Sequence, residues 1–180
     1  LADVLSVSLK ASDNTMTEVE GRLVAADAGQ QASFEGATAA VLARLRDDGF
    51  DTSGVTVLDC SGLALGDKVP GRLLAQITAR AAGADGGAVG RTLLTDLPVG
   101  ALDGTMEERF VGVGGAGTVR AKTGSLGTVA SLTGTVVTKD GRQLAFAVIV
   151  DGFEDGGLTS ARTAIDNDLM TPLADCGCHG

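Results

Sequence analysis

The sequence predicts an α+β chain, an α/β sandwich in the broad sense, with an antiparallel sheet flanked by helices. Three observations carry that reading. Up to about residue 116, apolar side chains recur at helical spacing, interrupted by glycines and by Ser/Asp/Asn clusters. From 117 onward "TVRAKTG", "GTVASLTGTVVT" and "RQLAFAVIVDG" are rich in β-formers, and "KDG" at 139–141 is a hairpin turn signal. The final stretch, "LTSARTAIDNDLMTPLA", returns to helical spacing and closes the fold as one helix.

Taken in order, residues 1–11 read as a helix ending at "ASDN", and 15–28 as a second helix stopped by Gly29. A third carries Phe34, Ala37, Val41, Leu42 and Leu45 on one face, with Ser33 as its N-cap and Gly49 as terminator. "VTVLDC" (55–60) reads as a short apolar strand or extended segment. Pro70 opens the helix "PGRLLAQITARAAG", with Gly83 near its end. Short helices are expected at 88–97 and 104–110, the second with Asp103 either as its cap or as a residue that orients the loop. No repeat or linker divides the chain, so residues 1–180 read as one domain, helical to about 116 and sheet plus closing helix over about 117–175.

Composition narrows the function. With 44% hydrophobic residues but no Trp, no Tyr and five Phe, the core must be aliphatic. A net charge of −9 argues against nucleic acid as a partner, because neutralising phosphates requires a basic surface. No apolar run approaches the roughly 18–20 residues of a membrane span. The chain opens directly in a helical pattern (Leu1, Val4, Leu5, Leu9) without cap or leader, and is expected to be the later part of a longer protein. His179 is the single histidine, which excludes a Ser–His–Asp triad and a histidine-based metal centre. No metal site is expected, since Cys176 and Cys178 find no other cluster to complete one. In an exported protein Cys60 would pair with Cys176 or Cys178, tethering the C-terminal segment. Free thiols are the alternative, and the odd count leaves one cysteine over.

Without histidine, lysine and hydroxyls must carry any proton chemistry, and the chain has four lysines. One of them, Lys122, stands on a predicted strand beside Thr123, Gly124 and Ser125, and Ser12-Asp13-Asn14 falls where a helical pattern breaks. On its own, Ser-Asp-Asn also reads as a helix cap. In order and about 110 residues apart, the two match S-D-N and K-T-G of the serine acyl-transfer enzymes. The flanking stretches "TMTEVEGRLVA", "LDCSGLALGDKVPGRLL", "LTDLPVGALDGTMEERF" and "VRAKTGSLGTVASLTGTV" extend the match over nearly all 180 residues. The chain resembles the D-alanyl-D-alanine carboxypeptidase/endopeptidase group of low-molecular-mass penicillin-binding proteins, and so the C-terminal part of a β-lactamase/transpeptidase-like domain.

That resemblance implies a serine-type peptidase acting by acyl transfer on peptidoglycan stem peptides, inhibited by β-lactams, exported to a periplasmic or wall-facing location and needing no cofactor. It implies that Ser12 relays a proton to the leaving nitrogen and that Asn14 binds the acyl side-chain amide. Lys122 would supply positive potential, Thr123 a hydrogen bond to the substrate carboxylate, Gly124 close approach of the strand, and the Ser125 N–H an oxyanion donor. The third signature, S-x-x-K, is missing: the residues three before each lysine are Val7, Leu65, Val119 and Val136. The nucleophile is therefore expected on a preceding segment, covalent in the full protein or present as a separate chain. Two other readings stand beside this one: a non-catalytic fragment or degenerate muropeptide-binding protein, and a β-lactamase or esterase on the same fold. Ser61 is expected in turn packing, Cys60 has no assigned role, and Glu18, Glu20, Glu107, Glu108 and Arg109 read as solvated surface.

Overall fold

A computed structural model describes residues 2–177, so Cys178 and His179 lie outside the described residues. The chain forms two compact units, residues 13–73 and residues 1–12 with 74–180.

In the first unit two helices pack together, α2 (Asn14–Asp27) and α3 (Phe34–Asp47). Their starts follow from the capping residues. Asp13 Oδ1 accepts the Met16 N–H at 2.9 Å, and Ser33 Oγ accepts the Gly36 N–H at 3.1 Å. Gly49, at φ +82°, ends α3 in the left-handed region expected of a terminator. The helices meet through small residues, Ala25, Ala37 and Ala40, with Cys60 against them. A Cβ on Gly21 would lie 2.4 Å from Cys60 Sγ, so the thiol occupies the space that a helix side chain would otherwise fill.

Of the two readings of 55–60, the strand is not formed. Only Thr56 forms a bridge, to Lys68, and the chain from 58 to 67 is held by carboxylates. Asp67 Oδ1 accepts the Leu58 N–H, while Asp59 accepts those of Gly62, Leu63 and Ala64. Side-chain acceptors thus take donors that a sheet ladder would have used. Glu18, expected at the surface, is 13% exposed, and its Oε1 accepts the N–H groups of Cys60 and Ser61 at 2.9 and 2.8 Å.

The second unit begins with α1 (Ala2–Ala11) and resumes within α4 (Gly71–Ala82), which follows Pro70. After α5 (Gly87–Asp96) and a short 3-10 turn (Gly104–Met106), three strands form an antiparallel meander: β1 (Val119–Leu126), β2 (Val129–Val137) and β3 (Gln143–Asp151). One sheet face carries Val119, Ala121, Ala130, Leu132, Val136 and Phe146, packed against Met106, Phe110, Ala161, Ile165, Met170 and Ala174. The last four belong to the closing helix: α6 (Leu158–Ala164), a π-helical stretch (Ile165–Met170) and α7 (Thr171–Ala174).

The helix expected over 104–110 shrinks to its first three residues. Gly104 and Phe110 have φ of +57° and +64°, and the Ala101 N–H takes the carbonyls of both Met106 and Arg109. Asp103 makes no cap hydrogen bond there. Arg109, expected on a solvated face, is 13% exposed and pairs with Asp166, its Nε donating at 2.9 Å.

Candidate active site

The site in the second unit forms where the end of α1 meets β1. Ser12 follows the last residue of α1 and has φ +53°, a left-handed conformation that a non-glycine residue adopts at a cost of ~1–2 kcal/mol. Such strain persists only where surrounding contacts hold it. Here the contact is Lys122, whose Nζ donates to Ser12 Oγ at 2.6 Å and to the Thr123 carbonyl at 2.9 Å. Burial pushes the Lys122 ammonium below the ordinary lysine pKa, because desolvation disfavours its charged form.

Strand register decides what β1 presents. β1 pairs with β2 residue for residue from Val119 to Leu126, without a bulge. On the outer edge the Gly100 N–H donates to the Val119 carbonyl at 2.9 Å, and the Ala121 N–H donates to the Pro98 carbonyl at 2.9 Å. Backbone direction alternates residue by residue and recurs every second one, so the N–H and C=O of Thr123 and Ser125 point to that same edge. The 98–100 segment bridges β1 at Arg120, and beyond Ala121 no strand among the described residues pairs with this edge. The Ser125 N–H therefore faces the open edge.

Side chains alternate in the same way. Lys122 and Gly124 lie on the face opposite the apolar core, across from Thr133 and Ser131. A Cβ on Gly124 would come within 2.2 Å of Ser131 Oγ, so the glycine makes room for a neighbouring hydroxyl on β2. Thr123 Oγ1 hydrogen-bonds Thr105 Oγ1 at 2.8 Å, and Ser125 Oγ receives Arg162 Nη2 at 2.8 Å while donating to the Gly124 carbonyl at 2.7 Å.

Ser12, Lys122, Thr123, Gly124 and Ser125 thus come together in one unit, while Asn14 opens α2 in the other. Cys60 carries a free thiol, and its possible partner Cys178 lies outside the described residues. The thiol is packed over Gly21. Thr105 and Arg162 escaped the sequence reading because no short motif marks them; both reach the site through tertiary contact. Asp103 takes the second of its two expected roles, orienting the loop: it accepts the Val99 N–H at 2.8 Å and the Lys10 ammonium at 2.6 Å.

Comparison with known proteins places the chain in a family. Residues 1–171 match the D-Ala-D-Ala carboxypeptidase 3 (S13) family. The chain belongs to that family. It is 42% identical over 178 residues to a carboxypeptidase of Mycobacterium tuberculosis, covering 97% of this chain and 37% of the relative. It is 40% identical over 182 residues to carboxypeptidase DacB of Mycolicibacterium smegmatis, covering 99% and 38%. Penicillin-binding protein 4 of Haemophilus influenzae, solved with a bound β-lactam, superposes with a TM-score of 0.81 at 25% identity, over 94% of this chain and 41% of that one. The chain therefore has the α+β fold of that protein and spans about two fifths of the length of these relatives.

Proposed function

We propose that this chain supplies the proton relay, the carboxylate grip and one oxyanion donor of a serine-type D-Ala-D-Ala carboxypeptidase or endopeptidase acting on peptidoglycan peptides. The observation that carries the reading is the 2.6 Å hydrogen bond from Lys122, held at a lowered pKa, to the strained Ser12. A lysine whose ammonium is destabilised releases a proton more readily than a solvated one, and a serine fixed against it passes that proton on. In the forward reaction the leaving amide nitrogen takes a proton from Ser12 Oγ, and Ser12 takes one from Lys122 Nζ. Lys122 ends neutral and recovers its proton from the hydroxyl of the attacking serine.

That serine and its lysine belong to an S-x-x-K segment, and no lysine of these 180 residues has a serine three positions before it. The open edge of β1 beyond Ala121 fits an extended peptide, whose C-terminal carboxylate would meet Thr123 near Lys122. Asn14 would bind the acyl side-chain amide. A wall-facing location outside the cytoplasm follows from that substrate.

A second reading, a muropeptide-binding chain without turnover, is favoured by the missing S-x-x-K alone. Intact mass spectrometry under denaturing conditions, after incubation with a penicillin, separates the two. Acyl transfer requires an adduct on the segment that bears S-x-x-K, within the full-length protein or on a copurifying polypeptide, lost when Lys122 is replaced by alanine. An adduct on the 180-residue chain itself overturns the assignment of roles, and no adduct on any chain leaves the binding reading.

A further inference from the structure

We infer that Lys10 and Asp103 are a positioning pair that sets the Ser12–Lys122 hydrogen bond by clamping the end of α1 to the loop bordering β1. The inference rests on the proposed role of Ser12 and Lys122, and concerns two residues outside both motifs. Lys10 lies in the last turn of α1, two residues before Ser12. Its Nζ donates to Asp103 Oδ2 at 2.6 Å, across 93 positions of sequence. The other oxygen of Asp103 accepts the Val99 N–H at 2.8 Å. Val99 bridges Arg120 on β1, two residues before Lys122. One carboxylate therefore joins the segment that carries Ser12 to the 98–100 segment that pairs with the strand of Lys122, using one oxygen for each.

The neighbouring contacts close the same gap. Gly104, at φ +57°, lies against the Lys10 backbone: a Cβ there would be 2.7 Å from the Lys10 carbonyl and 3.2 Å from its Cα. Only glycine suits both the backbone angle and the approach. One residue on, Thr105 hydrogen-bonds Thr123. Ser12 itself occupies an unfavourable backbone region, so the end of α1 would relax if nothing held it. Burial alone would raise the Asp103 pKa; hydrogen bonds from Lys10 and the Val99 N–H, with the charges of Lys10 and Arg120, outweigh it and hold the carboxylate ionised below its ordinary value.

The test reads Lys122 directly and requires no turnover. With four lysines in the chain, side-chain ¹⁵N labelling resolves each ammonium by NMR. In the parent, Lys122 is expected to show an exchange-protected NH₃⁺ signal. Asp103→Asn and Lys10→Met should each speed its hydrogen exchange by roughly tenfold or more, the factor a charge-assisted hydrogen bond is worth. Lys10→Arg, which keeps charge and reach, should restore protection. If Asp103→Asn does not fold, Lys10→Met, altered at a side chain 35% exposed, gives the answer alone. A folded Lys10→Met chain with parental Lys122 exchange overturns the inference, as does a Lys10→Arg chain no better protected than Lys10→Met. The readout is the same whether or not the chain takes part in acyl transfer, so failure of the clamp and failure of the proposed function are seen separately.

Discussion

The glycine of the K-T-G motif offers a sharp test, because structure and resemblance give different reasons for it. By resemblance, Gly124 lets a ligand approach the strand. In the structure its missing Cβ leaves room for Ser131 Oγ, 2.2 Å from where that Cβ would stand, while Ser131 Cβ is at an ordinary 3.6 Å. Gly124→Ala alone must displace the Ser131 hydroxyl by about an ångström, forcing a rotamer change worth ~0.5–1.5 kcal/mol and some strand adjustment. Against this stands the ~0.5–1 kcal/mol that alanine gains over glycine in a strand interior. With the strand adjustment added, the steric cost is about 1.5 kcal/mol, and against an alanine gain of about 0.5 kcal/mol the single variant should lose about 1 kcal/mol. In a Ser131→Ala background the obstructing atom is gone, and Gly124→Ala should become stabilising by about 0.5 kcal/mol. The coupling between the two sites is then about 1.5 kcal/mol, well outside the additivity expected of independent positions. Urea unfolding of the four chains measures it. Equal destabilisation by Gly124→Ala in both backgrounds would refute the steric account. A stable double variant that no longer supports penicillin acylation would show the glycine serving ligand approach as well.

Two further perturbations probe charge. Lys122 is depressed by burial, so between its folded midpoint and the ordinary lysine value the unfolded chain binds more protons than the folded one, and stability rises with pH. Lys122→Met should remove that rise, seen as a flatter dependence of the urea midpoint from neutral to strongly alkaline pH; an unchanged slope would mean Lys122 is not desolvated. Arg109→Met leaves Asp166, 14% exposed, without its partner and should cost about 3 kcal/mol, mostly recovered when Asp166→Asn is added. Additive losses in that double variant would show that the pair does not interact.

What the sequence disclosed and what it hid divide along a physical line. The hairpin turns, the caps at Ser33 and the strands β1 to β3 were legible because each depends on near neighbours. K-T-G and S-D-N are short enough to stand out in the sequence, and the structure puts Lys122 and Ser12 within hydrogen-bond distance. What failed depended on distant partners. "VTVLDC" has the composition of a strand, yet Asp67 and Glu18 capture the Leu58 and Cys60 N–H groups it would have used. Glu18 and Arg109 look like surface charges until Cys60, Ser61 and Asp166 arrive from elsewhere in the chain. Asp103 is a good cap by type, but Lys10, 93 residues away, makes it a link between elements.

The site inherits its geometry from the core through strand register. Val119 and Ala121 face the apolar layer, which fixes Lys122 on the opposite face beside Gly124, Ser131 and Thr133. A slip of one residue would turn Lys122 toward the layer built by Met106, Ile165 and Leu132 and expose Val119 in its place. Gly134 guards against that slip. A Cβ there would lie 1.9 Å from the Arg120 carbonyl and 2.6 Å from Ala121 Cα, both backbone atoms that no rotamer change can move. Its neighbours on β2 are Thr133 and Thr135, so a one-residue shift puts a β-branched residue where only hydrogen fits. The apolar face therefore sets which side Lys122 occupies and Gly134 sets where along the strand it stands.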